Sequence, residues 1–347
     1  MRILFDGTSI FEKYKMGLST YSFEIIRNIT EIDKQNDYFI GVRTSRWKNI
    51  QKIDLNAKIE KIFSLEIANI PLAFLPKKFD IYHGLSNRLC FGIFAKKYIL
   101  TLHDTHGKKE KLKRFCNLAD IVITISNFSK KKISEELKIP EDKIRVVYNG
   151  VSPVFSIKDK KYVGMKKREF EEITGVRRFI LCMITDDTYK NIKNIVYVMK
   201  HVMGKHKDVA ALFVGKDVSE YIKEGRKMIN IGYVSKEILS DLYNISEVLF
   251  FPATYGGFGL PIVEAMACGL PVITSRGTAQ DEISGDAAIK CNPNSIYEMI
   301  DGIEKILNSP QKQKELSEKG IERAKIFSWK KSAEEILKIY KEVLNIK

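Results

Sequence analysis

The chain has 347 residues and a formal net charge of +15, and 44% of its residues are hydrophobic. This composition excludes a disordered chain, and the length predicts two domains that each bury a core. The five cysteines are scattered and form no CxxC pair, which argues against a disulfide framework and against a zinc site. The N-terminus does not resemble a signal peptide and the apolar runs are too short to span a membrane, so a cytoplasmic protein is expected.

Short apolar, β-branched runs alternate with longer amphipathic stretches, a pattern typical of βα units and mostly parallel sheets. In the first half, helices are predicted from Leu18 onward and after Ser129, the second ending before Pro140. The predicted strands of this half are residues 3–5, 38–42, 59–63, 81–83, 99–102, 121–124 and 146–148.

After Asn149 and Gly150 the charged segment 157–172 shows little apolar periodicity, and it is predicted to connect two domains. A second series follows, with predicted strands 179–184, 211–214, 228–231, 248–251 and 272–274 and predicted helices 192–202, 236–245 and 261–268. We therefore expect two consecutive α/β domains, residues 1–155 and 156–329. In open parallel sheets ligands bind beyond the carboxyl ends of the strands, which favours a site in a cleft between the two sheets.

Most of the net positive charge lies in the first 150 residues, and residues 107–114 are the densest basic run. Such a run could face an anionic lipid, a phosphate-bearing substrate or nucleic acid, or it could simply be a solvated lysine-rich surface. Nucleic acid is the least favoured of these partners. The chain has no recognisable nucleic-acid-binding motif, and no aromatic residues interleave with the basic run.

The most informative segment is residues 250–275, which reads as a strand, a glycine-bearing loop, a helix opened by Pro261 and another strand. Its glycines, Gly256, Gly257 and Gly259, permit close backbone approach and unusual dihedral angles. The N–H groups at the start of the helix would suit an anion such as a diphosphate. Glu264 lies one turn into the helix, within reach of ligand hydroxyls. A tight strand-to-helix turn without a ligand is the alternative explanation of this pattern.

The run from Tyr255 to Ile273 resembles the signature of retaining glycosyltransferases of family 4, whose GT-B fold consists of two Rossmann-like α/β domains facing each other across a central cleft. The resemblance covers essentially the whole chain, because it extends to residues 1–7, 17–21, 82–84, 101–104, 119–130, 144–151, 239–243 and 327–329. It also implies that the C-terminal helix, about 330–347, crosses back onto the N-terminal domain.

This resemblance implies that the N-terminal domain holds the acceptor and that the C-terminal domain holds a nucleotide-diphosphate sugar, UDP- or GDP-linked, with no cofactor. Glu264 matches the family's ribose-binding carboxylate, Lys190 the lysine that neutralises the departing phosphates, and His103 a histidine near the donor sugar. A helix-dipole glutamate, a surface lysine and a buried structural histidine are the plainer alternatives. The remaining implied donor-binding residues are Gly17, Tyr233, Val234, Gly256, Gly257, Phe258, Gly259 and Leu260.

The resemblance further implies transfer with retention of the anomeric configuration and without a metal ion. The acceptor would be a hydroxyl of a glycan or of a lipid-linked molecule. Because the N-terminal domain is basic, we expect an anionic acceptor at the inner membrane face and peripheral contact with an anionic membrane surface.

The chain departs from the family pattern at two positions. Gly256 stands where the family has the first glutamate of Glu-x7-Glu, and Ile184 and Thr185 stand where Gly-Arg usually precedes the lysine. A differently built working site is one explanation, and a catalytically inactive homologue acting as a binding or regulatory partner is the other. A sugar-nucleotide epimerase of the same fold matches the loop less well. Asp186 and Asp187 do not have the spacing of a DxD motif, so no metal is predicted.

Overall fold

The computed structural model describes residues 1–11, 17–50, 55–67, 70–184, 191–222 and 227–346. The chain divides into two compact units. Unit 1 comprises residues 1–150 and 328–347, and unit 2 comprises residues 151–327. The chain thus enters unit 2 slightly before the predicted boundary at residue 155. Within the described ranges, no helix is long and apolar enough to cross a bilayer.

Unit 1 is built on a largely parallel sheet in which β1 pairs with both β2 and β4, while β5, β6 and β7 follow β4 in order. The strands are β1 (Arg2–Asp6), β2 (Asp37–Arg43), β3 (Lys58–Ile67), β4 (Ile70–Gly84), β5 (Phe91–Thr101), β6 (Ile121–Thr124) and β7 (Ile144–Val146). The helices are α1 (Gly17–Ile32), α2 (Lys109–Leu118), α3 (Asn127–Leu137) and α11 (Trp329–Val343).

One part of this sheet was not predicted. Strand β3 runs parallel to β2 but antiparallel to the first part of β4, where Phe63 is the register partner of Phe74. On β4 the exposed Leu72 and Phe74 alternate with the buried Ala73 and Leu75, which is the period of two expected of a strand with one solvated face. The sequence predicted only residues 81–83 of β4, because short parallel strands were expected.

The C-terminal helix α11 belongs to unit 1, where it packs against α1. The edge of the Trp329 ring meets the Tyr21 ring at a centroid distance of 6.1 Å, and Ser332 Oγ donates to the carbonyl of Tyr148 at 2.6 Å. Gly150 lies directly against the start of this helix. A Cβ at Gly150 would lie 2.0 Å from the Trp329 nitrogen, so the glycine is needed for the close approach.

Unit 2 contains a parallel sheet with the strand order β10-β9-β8-β11-β12-β13. Its strands are β8 (Arg178–Ile184), β9 (Val209–Gly215), β10 (Met228–Gly232), β11 (Val248–Phe251), β12 (Val272–Ser275) and β13 (Ala288–Cys291). Its helices are α4 (Lys160–Thr174), α5 (Ile192–Lys205), α6 (Lys236–Ile245), α7 (Leu260–Ala267), α8 (Ala279–Ser284), α9 (Ile296–Leu307) and α10 (Pro310–Ala324).

Both faces of the unit 2 sheet are buried, which explains its nearly continuous apolar strands. On β8, Phe179 and Leu181 pack into one hydrophobic core, whereas Ile180 and Cys182 pack into the core on the opposite face. Side chains alternate between the faces with a period of two, so a single strand contributes to both cores. Polar chemistry in this unit is therefore restricted to the strand ends and the loops.

The prediction that residues 157–172 form an interdomain connection is wrong, because they contain most of helix α4. Asp159 caps this helix by accepting from the backbone N–H groups of Lys161 and Tyr162 at 2.9 and 3.2 Å. Val163 and Phe170 pack against the core of unit 2. These two residues are seven positions apart, and so narrow an apolar stripe on a lysine- and glutamate-rich helix gives little periodic signal.

We predict that Gly150→Ala lowers the free energy of unfolding by about 1–3 kcal/mol, because the new methyl group would overlap the backbone of Trp329. Urea denaturation measures this change. The matched control is Gly164→Ala in α4, where an added Cβ meets nothing within 4 Å and the helix gains a better helix former. Equal stability of the two variants would contradict this packing of α11.

Candidate functional site

The strand order of unit 2 creates a crevice at the carboxyl ends of β8 and β11. From β8 the chain proceeds to β9 and β10 on one side, and then returns to place β11 on the other side of β8. Loops that follow two such neighbouring strands diverge, and ligands bind where they part. The loop after β11, residues 252–259, is called the glycine loop below. Lys190 follows β8 in the sequence but lies in residues 185–190, outside the described ranges.

The glycine loop ends at Gly259, which caps α7 with a φ of 100°. Pro261 occupies the first turn of α7, as predicted from the sequence. A side chain at Gly259 would be strained, and its Cβ would lie 3.2 Å from Cγ of the buried Gln280. Of the three loop glycines, all of them described, positive φ is found at Gly259.

The buried side chain of Phe258 holds the glycine loop in place. Its ring meets the edge of the Phe327 ring at a centroid distance of 5.5 Å. Leu260 begins α7, and the first N–H groups of a helix have no acceptor within that helix. Pro261 has no N–H and the Ile262 N–H donates to the Gly259 carbonyl at 2.9 Å, so the Leu260 N–H is the donor at the start of α7 that can bind an anion at the strand ends.

Glu264 lies on α7 and is buried, with only 9% of its surface exposed. Its Oε2 accepts a hydrogen bond from Tyr243 Oη on α6 at 3.1 Å. Burial raises the pKa of Glu264 to about 7, although the Tyr243 hydrogen bond acts in the opposite direction. The carboxyl group is thus poised between its acid and its carboxylate near neutral pH. Tyr243 ends the segment 239–243 that resembles the family, but the sequence predicted no role for it.

Tyr233 and Val234 follow β10, directly after Gly232, whose φ is +77°. Tyr233 is 45% exposed, whereas Val234 packs against the core. The next residue, Ser235, caps α6, and α6 packs against α7. Tyr233 and Val234 therefore lead into the helix that carries Tyr243, the hydrogen-bond partner of Glu264.

Asn191 ties the described chain beyond Lys190 to the glycine loop. Its φ of 62° places it in the left-handed region, which asparagine tolerates better than most residues. Its Nδ2 donates to the carbonyl of Pro252, at the start of the glycine loop, at 3.3 Å, and to the carbonyl of Pro293. The sequence analysis assigned Asn191 no role. From the sequence, only the residue type, asparagine, indicates such a role, because both acceptor carbonyls are distant in the sequence.

In unit 1, His103 is buried and its Nε2 lies 3.0 Å from the carbonyl of Leu85. A carbonyl only accepts, so Nε2 carries the proton and Nδ1 of the neutral ring does not. Burial lowers the pKa of His103 to about 4, which keeps the ring neutral at physiological pH. The edge of the Tyr21 ring packs against it at 4.6 Å. Because Tyr21 and Gly17 share α1, the structure places Gly17, exposed at the start of α1, and His103 in one region of unit 1.

A buried hydrogen-bond network connects this region to α11. Nδ1 of His83 lies 2.6 Å from Tyr340 Oη, and Nε2 of His83 lies 2.8 Å from Thr101 Oγ1. Thr101 Oγ1 in turn lies 3.1 Å from Tyr21 Oη. Burial, together with the neighbouring His103, lowers the pKa of His83 to about 3. The sequence analysis noted His83 only within a short motif, because Tyr340 is 257 positions away.

No cluster of three or more histidine, cysteine, aspartate or glutamate side chains suited to a metal ion occurs among the residues that the structure describes. Asp186 and Asp187, the two aspartates considered for a cation, lie outside them. The predicted site residues thus fall into two sets. Unit 2 carries the glycine loop, Glu264, Tyr233 and Val234, and unit 1 carries Gly17 and His103.

Two family models match the chain. The model described as Glycosyl transferases group 1 matches residues 165–323, and the model described as Glycosyltransferase Family 4 matches residues 58–155. Most of unit 2 thus matches the first model, and the second model covers strands β3 to β7 of unit 1.

The chain is also similar in sequence to individual glycosyltransferases. The chain is 30% identical to an uncharacterized glycosyltransferase of Methanocaldococcus jannaschii over 96% of its own length and 97% of the relative's. It is 26% identical to O-antigen chain mannosyltransferase B of Escherichia coli over 75% of the chain and 74% of that protein. A second M. jannaschii glycosyltransferase is 27% identical over 63% of the chain, and this match spans 59% of the relative's length.

Solved structures share the fold over nearly the whole chain. Sucrose-phosphate synthase from Thermosynechococcus elongatus has a TM-score of 0.77 at 18% identity, covering 99% of both chains. HepE from Anabaena, solved with UDP and glucose, has a TM-score of 0.74 at 14% identity, covering 99% of this chain and 100% of that one. The predicted GT-B fold is confirmed.

We predict that Tyr340→Phe lowers the free energy of unfolding by about 1–3 kcal/mol, because it leaves a buried nitrogen of His83 without its partner. Urea denaturation measures the loss. Tyr197→Phe is the control, since Tyr197 is largely exposed. If both variants were as stable as the wild type, the His83 network would not hold α11.

We predict that Glu264 makes folding less favourable as pH rises. Its folded pKa is about 7 and its ordinary value 4.5, so between these values the folded state keeps a proton that the unfolded state has lost. The free energy of unfolding should therefore fall over this window by up to about 1.4 kcal/mol per pH unit. Urea titrations across the window should show this fall in the wild type and not in Glu264→Gln. The same change at exposed Glu318 is the control, and parallel pH profiles in all three proteins would contradict the assignment.

Proposed function

The chain belongs to glycosyltransferase family 4, and from this membership we propose that it transfers a hexosyl group from a UDP- or GDP-linked sugar to a hydroxyl of a glycan or a lipid-linked acceptor. It is a glycosyltransferase. The names of its relatives favour mannosyl or glucosyl transfer, because one is a mannosyltransferase and a structural neighbour was solved with UDP and glucose.

The observation that carries this proposal is the position of the glycine loop. It follows β11 at the reversal of strand order, it ends in the positive φ of Gly259, and it opens a helix that carries the buried Glu264. We assign the donor diphosphate to the backbone N–H groups of residues 258–260, where the positive end of the α7 dipole favours phosphate. Gly256 and Gly257 would let the donor approach the loop backbone closely.

Glu264 is assigned to the ribose of the donor. A carboxylate accepts hydrogen bonds from two neighbouring hydroxyls, and the Tyr243 hydrogen bond holds Glu264 in place for this role. The backbone of Tyr233 and Val234, after β10, is assigned to the edge of the base. These contacts recognise a nucleoside diphosphate and leave the choice between uracil and guanine to the shape of the β10–α6 loop.

Lys190 is assigned to the departing diphosphate. This assignment rests on the family resemblance, and the next residue, Asn191, is hydrogen-bonded to the first carbonyl of the glycine loop. The family's usual arginine is replaced by Thr185, so Lys190 and the α7 dipole would have to stabilise the leaving charge together. The paired loss of the first glutamate, at Gly256, keeps the net charge of the site unchanged.

For the chemical step we propose retention without a protein nucleophile. The acceptor hydroxyl forms its new bond to the anomeric carbon on the face from which the diphosphate oxygen leaves, and a phosphate oxygen takes the hydroxyl proton. His103 suits a positioning role near the donor sugar better than proton transfer, because it is neutral and its Nε2–H is held by Leu85. Gly17 is assigned to the diphosphate on the resemblance. We further propose that no metal ion is required.

The acceptor hydroxyl is proposed to belong to an anionic or lipid-linked molecule in the cytoplasm at the inner membrane face. The support is the basic character of the first 150 residues, which include most of unit 1.

A thermal-shift screen against UDP, GDP, ADP and their sugar conjugates, with EDTA present, tests the proposal. Ligands that bind the folded state raise its melting temperature, and we expect a shift with one nucleotide family. Lys190→Ala and Glu264→Ala should weaken that binding by at least about tenfold, since each removes a charged or hydrogen-bonded contact. Lys193→Ala, at an exposed position of α5, is the control.

Turnover of the donor that binds then completes the test. With a suitable acceptor, the product should show the donor's anomeric configuration by NMR, and EDTA should not reduce the rate. The absence of a shift with every nucleotide would contradict the donor site and favour a catalytically inactive binding protein. An inverted product would contradict the mechanism alone.

A further inference from the structure

We propose that the outer end of the β3–β4–β5 sheet is a membrane-docking surface that inserts phenylalanine side chains into an anionic phospholipid bilayer. The inference specifies which surface would face the membrane that holds the proposed acceptor. The reason for such docking rests on the proposed function. Its support, however, is a surface of unit 1 that the donor site does not use.

Three phenylalanines stand out from this part of the sheet. Phe63 on β3 is 51% exposed, Phe74 on β4 is 58% exposed and Phe94 on β5 is 55% exposed. The first two are register partners in the antiparallel pair, so they lie side by side, and Leu72 lies on the same exposed face two residues from Phe74. These four residues are called the phenylalanine patch.

A soluble protein rarely leaves adjacent phenylalanines half exposed on one sheet face, because each exposes a large apolar area with no polar group to hydrate. Here the opposite face of the same strands is well buried, with Ile62, Ala73, Leu75 and Ile93 at the core. The exposed face is therefore not a poorly packed core. It is an apolar surface on the outer side of a well-packed part of the sheet.

Positive charge is interleaved with the patch. Lys61 precedes Phe63 by two residues on the exposed face of β3, and Lys78 is the register partner of Phe94. The nearby acid Glu60 points to the other side of β3, where it pairs with Lys77 at 2.6 Å. Lysines beside phenylalanines fit an anionic bilayer surface, because the ammonium groups can meet lipid phosphates while the rings enter the acyl boundary.

The patch also borders the densest basic run of the chain. Residues 109–114 form the first part of α2, and an open groove of about 600 Å³ joins α2 to the sheet. This groove is lined by Leu72, Phe91, Arg114, Asn117 and Leu118. An apolar groove with an arginine at its side suits an acyl chain and its anionic headgroup. Arg114, the last residue of the basic run, thus lines the same groove as Leu72 of the phenylalanine patch.

Vesicle flotation of the full chain tests the proposal. The probes are vesicles of phosphatidylcholine alone and vesicles in which one quarter of the lipid is phosphatidylglycerol. We expect the wild type to float with the anionic vesicles only. Phe63→Ser/Phe74→Ser should reduce that partition by at least about tenfold, since it removes the inserting rings. Lys78→Glu/Arg114→Glu should reduce it as well, through lost attraction to the headgroups.

Tyr297→Ser is the matched control, because Tyr297 is a 79% exposed aromatic residue of unit 2 and should leave flotation unchanged. Circular dichroism and the nucleotide thermal shift of each variant establish that the fold and the donor site are intact. The two proposals can be contradicted separately, because loss of nucleotide binding with unchanged flotation would contradict only the donor site.

Three results would overturn the docking surface. The wild type could fail to float with anionic vesicles, or the double serine variant could float as well as the wild type. Sedimentation velocity could instead show a wild-type dimer that Phe63→Ser/Phe74→Ser converts to a monomer, in which case a second copy of the chain covers the patch.

Discussion

The burial of the central strands of the unit 2 sheet determines where this protein can do chemistry. Strands β9, β11 and β12 are buried along their entire length, and β8 supplies alternate side chains to two separate cores. Neither face of the sheet can hold a polar ligand, so binding is confined to the carboxyl ends of the strands. There the strand order reverses between β8 and β11, and the glycine loop, Asn191 and the first turn of α7 come together.

Unit 1 follows the same rule with different means. Its site residues also lie at strand ends, but a buried neutral network rather than a glycine loop holds them. His83, Thr101, Tyr21 and Tyr340 join strand ends to two helices without a formal charge. Desolvation keeps both histidines neutral, so the network holds its arrangement across the physiological pH range. The C-terminal helix is thereby part of the support for His103, although it lies far from it in the sequence.

Local patterns predicted the elements well, because each depends on its own residues. The bounds of β6, β11 and α6 agree with the predicted 121–124, 248–251 and 236–245. Helix α4 was missed because two core contacts on a charged helix leave almost no periodicity. The antiparallel pairing of β3 with β4, the Tyr243–Glu264 hydrogen bond and the His83–Tyr340 hydrogen bond were missed for another reason. They join residues whose proximity arises only from tertiary packing.

The central claim is that the glycine loop binds the diphosphate of a sugar nucleotide, and a crystal structure with the bound nucleotide tests it most directly. The account predicts phosphate oxygens within hydrogen-bonding distance of the backbone N–H groups of residues 258–260, and ribose hydroxyls on the carboxylate of Glu264. A nucleotide bound away from the carboxyl ends of β8 and β11, with the glycine loop unoccupied, would contradict it.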